Sequence, residues 1–349
     1  MKLFSDKKRP VHLGQYPLER LERTDVMPDL LQAPEFKAVA FRRPDAPQSI
    51  VNAMGEYQAM LDAVRDGMIN KAKAETPDDH TERSEHLKAF AYFSDMTMAG
   101  TCLLPDEALL QTPIHNPDIA RLAEELKTRQ TKTFSTGIDV IMADLKEAME
   151  APPSTIDGHT HALVFLVEYP REPGADEAGC EWLNDAQQAR AGLRSVEAAI
   201  VMAQYIRLLG YDARAHSAST SDVDLNRLAI AAGLATVEEG ELVNPYLGSR
   251  FGIAAITMEY EIAPDRPLVP LNQQPRSKTH GLAWMAGKGF AKNAFNREPF
   301  GKRRFVDGAF PFETLKRVKE PTTFIDEKRV PRVPKRTDMF ARSLFGDMG

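Results

Sequence analysis

Cysteine is scarce: Cys102 and Cys180 are the two thiols among 349 residues. Two thiols exclude a disulfide-stapled scaffold, and they cannot hold a four-thiolate iron–sulfur cluster within one chain. Long apolar runs are missing too. No stretch approaches the roughly 20 consecutive apolar residues of a membrane-spanning helix, so no membrane association is expected. The opening segment, MKLFSDKKRPVHLG, has charge but no apolar run of the signal-peptide kind, so a cytoplasmic location is expected. Neither GxGxxG nor GxxxxGK(S/T) occurs, and Gly287-Lys288-Gly289 is too short to cradle phosphates. There is no GxSxG elbow and no HExxH helix.

What is present is ordinary in bulk: 43% hydrophobic and 27% charged residues, with a net charge of -6. The charge is unevenly placed. Residues 276–349 hold 17 Lys and Arg against 8 Asp and Glu, so the rest of the chain is acidic. A basic tail lying across an acidic body is the expected arrangement, and nucleic acid is not the expected partner.

Along the chain, prolines at 10, 17, 28, 34, 44 and 47 forbid a long helix in residues 1–52, which read as an extended arm with one short strand in FKAVAF. Apolar spacing predicts a helix from Ser49 to about Asn70. KAKAETPDDHTERSEH, residues 71–86, reads as a polar linker, and Leu87 to Met98 as either a strand or a short buried helix. A helix over 116–130 follows, with Asn116 as its cap and Pro117 at its first position. TGIDVIMADLKEAMEA reads as another, ending at Pro152-Pro153. ALVFLV, within 158–170, is a continuous apolar run of the sort covered on both faces of a sheet.

The richest stretch runs from Asn184 to Leu268. Leu193, Val196, Ala199, Ile200, Ala203, Ile206 and Leu209 recur at the spacing of one helical face. Asn184 or Asp185 is the expected cap at the start, and Gly210 the expected stop. Gly192 is the weak point inside. A shorter helix starts near Asp222 or Asp224, reads LNRLAIAAG and stops at Gly233. Asn244-Pro245 and Gly248 mark turns, and Gly252 to Ile262 reads as a strand.

Four ordered blocks in this stretch, AQYIRLLGYDA, LAIAAGL, NPYLGSR and ITMEYEIAPDRPL, resemble the cobalamin-binding domain of the reductive dehalogenases and, more distantly, the epoxyqueuosine reductases. The resemblance covers about 85 residues. Two departures stand out. The family's glycine after AGL is Ala235 here, and no cysteine follows Cys180, where the family carries two CxxCxxCxxxCP cluster motifs. The resemblance implies an α+β fold, a nitroreductase-like three-layer body with extended N- and C-terminal arms. The expected organisation is an N-terminal arm and helical region over 1–105, a reductive-dehalogenase-like core over 106–270 and a basic, irregular wrapping tail over 271–349. It further implies cobalamin as cofactor, with FMN as the alternative, and no iron–sulfur cluster in this chain. A second copy of the chain or a related catalytic module is the implied partner, joined by an electron-donor protein if the chain is active.

Tyr246 and Arg250 are the catalytic candidates, the tyrosine lining a pocket and the arginine pairing with an anion. Tyr211, His216, Asn226, Gly233 and Asn244 are the candidates for cofactor contact. Tyr205 reads as a core contact and Arg207 as a snorkelling surface residue. Asp157, His159 and His161 could chelate a metal through an i, i+2 histidine pair, but no partner set accompanies them, and the pair reads as the lead into a strand. Cys102, beside Leu103 and Leu104, reads as packing. Acidic neighbours make Cys180 a poor nucleophile. The expected role is that of a degenerate or partial module. A stand-alone flavin- or corrinoid-dependent reductase and a basic-tailed interaction protein are the alternatives.

Overall fold

The computed structural model describes residues 9–129, 155–169 and 173–274. The helix expected over 136–151 and the elements expected in the tail beyond 274 lie outside the described residues. In chain order the regular elements are α1 (Ile50–Ala63), α2 (His80–Phe93), β1 (Met98–Leu103), β2 (Leu109–Ile114), α3 (Asp118–Arg129), β3 (His161–Glu168), the short α4 (Cys180–Leu183), α5 (Gln187–Leu208), β4 (Ala213–His216), β5 (Ser221–Val223), α6 (Leu225–Ala231), β6 (Thr236–Glu238), β7 (Glu241–Val243) and β8 (Phe251–Met258). No helix among the described residues is long and apolar enough to cross a membrane.

The central sheet is antiparallel throughout, in the order β1-β3-β8-β4. ALVFLV is its inner strand β3, and its side chains alternate between two cores, as the pleat requires. Ala162, Val164 and Leu166 enter a first core with α6 and with Tyr16, Leu18 and Leu21 of the N-terminal arm. Leu163, Phe165 and Val167 enter a second core with α2 and α5. Burying each such large apolar side chain contributes about 1.5–3 kcal/mol. β2 pairs with β5, and β6 with β7, as separate two-stranded ladders.

Caps explain most boundaries. The Ser49 and Asp79 side chains accept from the backbone amides of Val51 and Thr81 at the starts of α1 and α2. Asp224 does the same for Asn226 and Arg227 at α6. Asn116 Oδ1 accepts from the Asp118 amide ahead of α3. Gly210 and Gly233, at φ +91° and +63°, end α5 and α6 in the left-handed conformation.

Several expectations need correction. The polar stretch 71–86 is no simple linker: α2 begins inside it, at His80. Its buried face needs little apolar surface, because Ser84, Leu87 and Ala91 are its only buried residues. Neither Asn184 nor Asp185 caps α5. Asp185 lies in the left-handed region at φ 54°, and α5 starts at Gln187 after Ala186. The carbonyls of Asn184 and Asp185 instead accept from the Arg43 guanidinium of the arm. FKAVAF forms no strand; it makes a single backbone bond, from the Val39 amide to the Ala218 carbonyl. Arg207 is not at the surface but 1% exposed. Tyr205, expected in the core, is 44% exposed, with its ring edge against Phe90.

The arm is an integral part of the body. Arg23 bridges Leu268, and backbone bonds join Thr24 to Pro267 and Val269 to Glu22. Gly192 is explained by the same arm. A Cβ there would lie 2.7 Å from Phe41 Cζ, so the missing side chain lets the phenyl ring dock on α5.

Candidate functional site

The NPYLGSR loop is shaped by Asn244. Its Oδ1 accepts from the amides of Tyr246 and Leu247, at 2.8 and 3.0 Å, and its Nδ2 donates to the Leu234 carbonyl at 2.6 Å. This side-chain mimic of a backbone turn carries Tyr246 inward. Tyr246 is fully buried. Its hydroxyl donates to the Pro17 carbonyl at 3.1 Å, and its ring lies 5.4 Å from the Tyr16 ring. Burial raises its pKa, so the phenol stays neutral. The N-terminal arm covers Tyr246, which is not among the residues lining the clefts beside Phe36, Arg190 and Arg9. Arg250 is half-buried, and its carbonyl accepts from the Tyr169 amide.

Gly233 is similarly covered. A Cβ there would overlap Arg23 Nη1 and the Arg266 carbonyl, with Arg23 donating to that same carbonyl. Burial lowers the pKa of Arg23. Asn226 does face a cleft. A cavity of about 490 Å³ lies beneath the arm at 35–40, between Gln188 and Gly192 of α5 and the opening of β8, with Phe36, Tyr169 and Phe251 among its walls. A space therefore exists between the start of α5 and the segment that follows NPYLGSR, and of the seven candidates Asn226 alone lines it. The Nδ2 of Asn226 donates to the Pro34 carbonyl at 3.1 Å.

Tyr211 lies elsewhere, against the second core. Its ring is 4.8 Å from that of Tyr260, with Lys73 Nζ 4.5 Å above it. His216 is fully buried on the first face of the sheet. Its Nε2 meets Thr257 Oγ1 at 2.8 Å, and its Nδ1 accepts from the Asp222 amide at 3.3 Å. Around it is a buried charge cluster that sequence reasoning missed. Asp222 Oδ2 accepts from Arg65 and Arg214 at 3.0 and 3.2 Å, and Arg214 also donates to Asp66. Arg207 donates to the carbonyls of Arg65 and Ala213. The available signal was Arg207 itself, a cation inside the α5 apolar pattern.

Burial, and then Arg65 and Arg214, hold the His216 pKa well below its ordinary value of 6.5. The unfolded chain therefore takes up a proton that the folded chain refuses. This contribution to stability is present above about pH 6.5 and is lost as pH falls, by at most about 1.4 kcal/mol per pH unit. The His216→Gln variant is expected to show a shallower fall of its urea midpoint between about pH 6.5 and 5 than the unsubstituted chain.

The two histidines of DGHTH do not converge. His159 Nδ1 meets Thr257 Oγ1 at 2.7 Å, whereas His161 Nδ1 meets Thr160 Oγ1 at 2.8 Å. Among the described residues, no group of three or more His, Cys, Asp or Glu could hold a metal ion. Cys102 is buried, and burial raises its thiol pKa. Cys180 Sγ accepts from Asn184 Nδ2 at 3.2 Å.

Tyr246, His216, Asn244 and Gly233 offer no open surface to the corrinoid that the resemblance implies. Tyr246, His216 and Asn244 are at most 1% exposed, and their polar atoms are bonded within the chain. The Gly233 backbone, which could have approached a flat cofactor closely, is occupied by Arg23.

No family model and no curated protein match the chain. Solved structures do. A reductive dehalogenase described for B12-dependent dehalogenation matches at 32% identity with a TM-score of 0.60, over 81% of this chain and 34% of that one. The catabolic reductive dehalogenase NpRdhA matches at 31% and 0.61, over 90% of this chain and 38% of its own. NpRdhA in complex with 3-bromo-4-hydroxybenzoic acid gives 31% and 0.60. Epoxyqueuosine reductase from Streptococcus thermophilus is a distant match, at 12% identity and a TM-score of 0.32. The chain thus spans about a third of the length of the reductive dehalogenases it matches. Over most of its length it is related to the reductive dehalogenases, and it forms a reductive-dehalogenase-like domain.

Proposed function

We propose that this chain is a degenerate or partial module that structurally completes a cobalamin-dependent reductase and performs no reduction by itself. The observation that carries this reading is the N-terminal arm: Tyr16, Pro17 and Arg23 stand against Tyr246 and Gly233, where a cofactor-contacting surface would have to be open. The scarcity of cysteine agrees, since two thiols supply no cluster to feed a corrinoid with electrons. In this reading the body is nitroreductase-like, with arms at both ends. Its partner is a second copy or a related catalytic module, and an electron-donor protein serves that partner. Its compartment is the cytoplasm.

A second reading, a small flavin- or corrinoid-dependent reductase, is favoured by the 490 Å³ cleft beside Asn226. That volume falls within the range of small-ligand sites. The experiment is direct. The purified full chain is incubated with hydroxocobalamin or FMN, a chemical reductant and a halogenated phenol, and halide release is measured. The first reading predicts release no faster than from cofactor and reductant alone. Faster release overturns it, and the cofactor that supports the reaction identifies the second.

A further inference from the structure

Phe93, Val201, Tyr205 and Leu208 are large apolar side chains left between 44 and 80% exposed. They belong to one face. Val201, Tyr205 and Leu208 recur at the spacing of a single side of α5. The Tyr205 ring lies 5.7 Å from that of Phe90, one turn before Phe93 on α2. At its Val201 end the face runs into a cavity of about 490 Å³ lined by Met96, Val167 and Ala198. Arg190 and Arg194 stand there with Glu197 and Asp95, so this end is balanced in charge. Contiguous exposed apolar surface of this kind marks an interaction site.

The other end is acidic. The Ala74 amide donates to the Leu209 carbonyl, so the segment leading into α2 starts beside the end of α5. Glu75, Asp78, Asp79 and Glu82 follow and are exposed, as are Glu259 and Glu261 just beyond β8. Glu261 is held against α2: its carboxylate lies 3.5 Å from His80 Nε2, and its carbonyl accepts from Arg83. Lys71, Lys73 and Arg83 are the cations among these residues. Two of them are turned to aromatic rings, Lys73 to Tyr211 and Arg83 to Tyr260. Six carboxylates against three cations leave this end negative.

An occupant suited to this surface is aromatic and basic. A second body would add charge of the same sign, because the chain outside residues 276–349 is acidic. The tail has the required chemistry. Phenylalanine recurs at every fifth residue from Phe290 to Phe310. Lys288, Lys292, Arg297, Lys302, Arg303 and Arg304 interleave with these rings, against Glu298 and Asp307. We propose that residues 288–310 of this chain dock on the α2–α5 face of its own body. The phenylalanines cover Val201, Tyr205 and Leu208 and enter the cavity beside Met96, and the lysines and arginines meet the acidic start of α2.

The point of departure agrees. The chain passes α2 at Ala263, bonded to His80, and at Asp265, bonded to Lys88, before Gln274 is pinned to Glu22 and Val269. Residues 275–287 then link the pin to the docking segment, with a reach of about 40 Å at full extension. Tethering gives the segment an effective concentration on the order of a millimolar at its site, so contacts that are weak between separate molecules suffice. The proposal does not depend on whether the module reduces anything; halide release bears on that reading alone.

Carbodiimide cross-linking of the full chain, which joins lysines directly to carboxylates, tests this when light and nitrogen-15-labelled chains are mixed before the reaction. At low salt, Lys288, Lys292 and Lys302 are expected to link to Glu75, Asp78, Asp79, Glu82 or Glu261 within one chain, so that light–light and heavy–heavy products form without mixed ones. Their yield should fall several-fold at about 0.5 M salt, where exposed charges are screened. Phe93→Glu and Val201→Glu, which keep every carboxylate but spoil the apolar face, should lower it at low salt as well. The proposal is overturned if the tail lysines link to no carboxylate of this face, or if the products are mixed, which would make the occupant a second copy. The unsubstituted chain decides the matter even if a variant fails to fold.

Discussion

Asp62→Ala is expected to lower the stability of the folded chain by about 3 kcal/mol, moving its urea midpoint down by roughly 1 M. Asp62 sits on α1 with 3% of its surface exposed. Its two oxygens are surrounded by donors. Ser217 Oγ and Gln58 Nε2 reach Oδ1 at 2.8 and 3.0 Å, while Asn116 Nδ2 reaches Oδ2 at 2.9 Å and Ser219 Oγ bonds the same atom. Alanine leaves these donors without an acceptor, each at a penalty of about 1–3 kcal/mol. Removal of a buried carboxyl offsets part of that sum, because burial already raises its pKa against the four hydrogen bonds. Asp62→Asn keeps the shape and one acceptor oxygen, so about 1 kcal/mol is expected. The sign with pH follows from the raised pKa. The contribution is full below the unfolded value and shrinks as pH rises through the folded one, so the deficit of the Asp62→Asn variant narrows as pH increases. A loss for alanine below about 0.5 kcal/mol, the range of surface substitutions, would show that the cluster is not closed as described.

Gly233→Ala is the second large effect. The left-handed backbone at φ +63° costs an L-residue about 1–2 kcal/mol. The added carbon would also overlap the Arg266 carbonyl, which is backbone and cannot swing aside, and Arg23 Nη1. A combined loss of about 3 kcal/mol is expected by urea or thermal unfolding. Gly240→Ala is the control. It shares a positive φ, +81°, but has nothing within 4 Å of the added carbon. It should lose about 1 kcal/mol. Equal losses at the two positions would mean that the arm does not press on Gly233.

Much of the core was legible because its signals are local. The apolar period of α5, the Asp224 cap, the stops at Gly210 and Gly233, and the unbroken ALVFLV run each specify an element without reference to distant residues. What escaped depends on tertiary contacts. Asp62, Arg65 and Asp66 have the spacing of a solvated helical face, yet Asp62 and Arg65 are buried, and the three meet Ser217, Asp222 and Arg214 across a fold that brings residues some 150 positions apart together. Arg207 looked amphipathic and turned out to be committed to backbone carbonyls. α2 was hidden by its own polarity. At the candidate site the residue types were visible but their neighbours were not. Nothing near NPYLGSR in the chain announces that Tyr16 and Pro17 will cover Tyr246, so a tyrosine suited to a pocket wall became a core residue.

The most direct test of a self-occupied, non-catalytic module is a thermal unfolding series on the purified full chain with increasing hydroxocobalamin, and separately FMN. A ligand that binds only the native state must raise the melting temperature, by the equivalent of about 2.7 kcal/mol at a hundredfold excess over its dissociation constant. The arm-filled surface predicts a melting temperature that does not change with either compound; a saturable rise with hydroxocobalamin would contradict it.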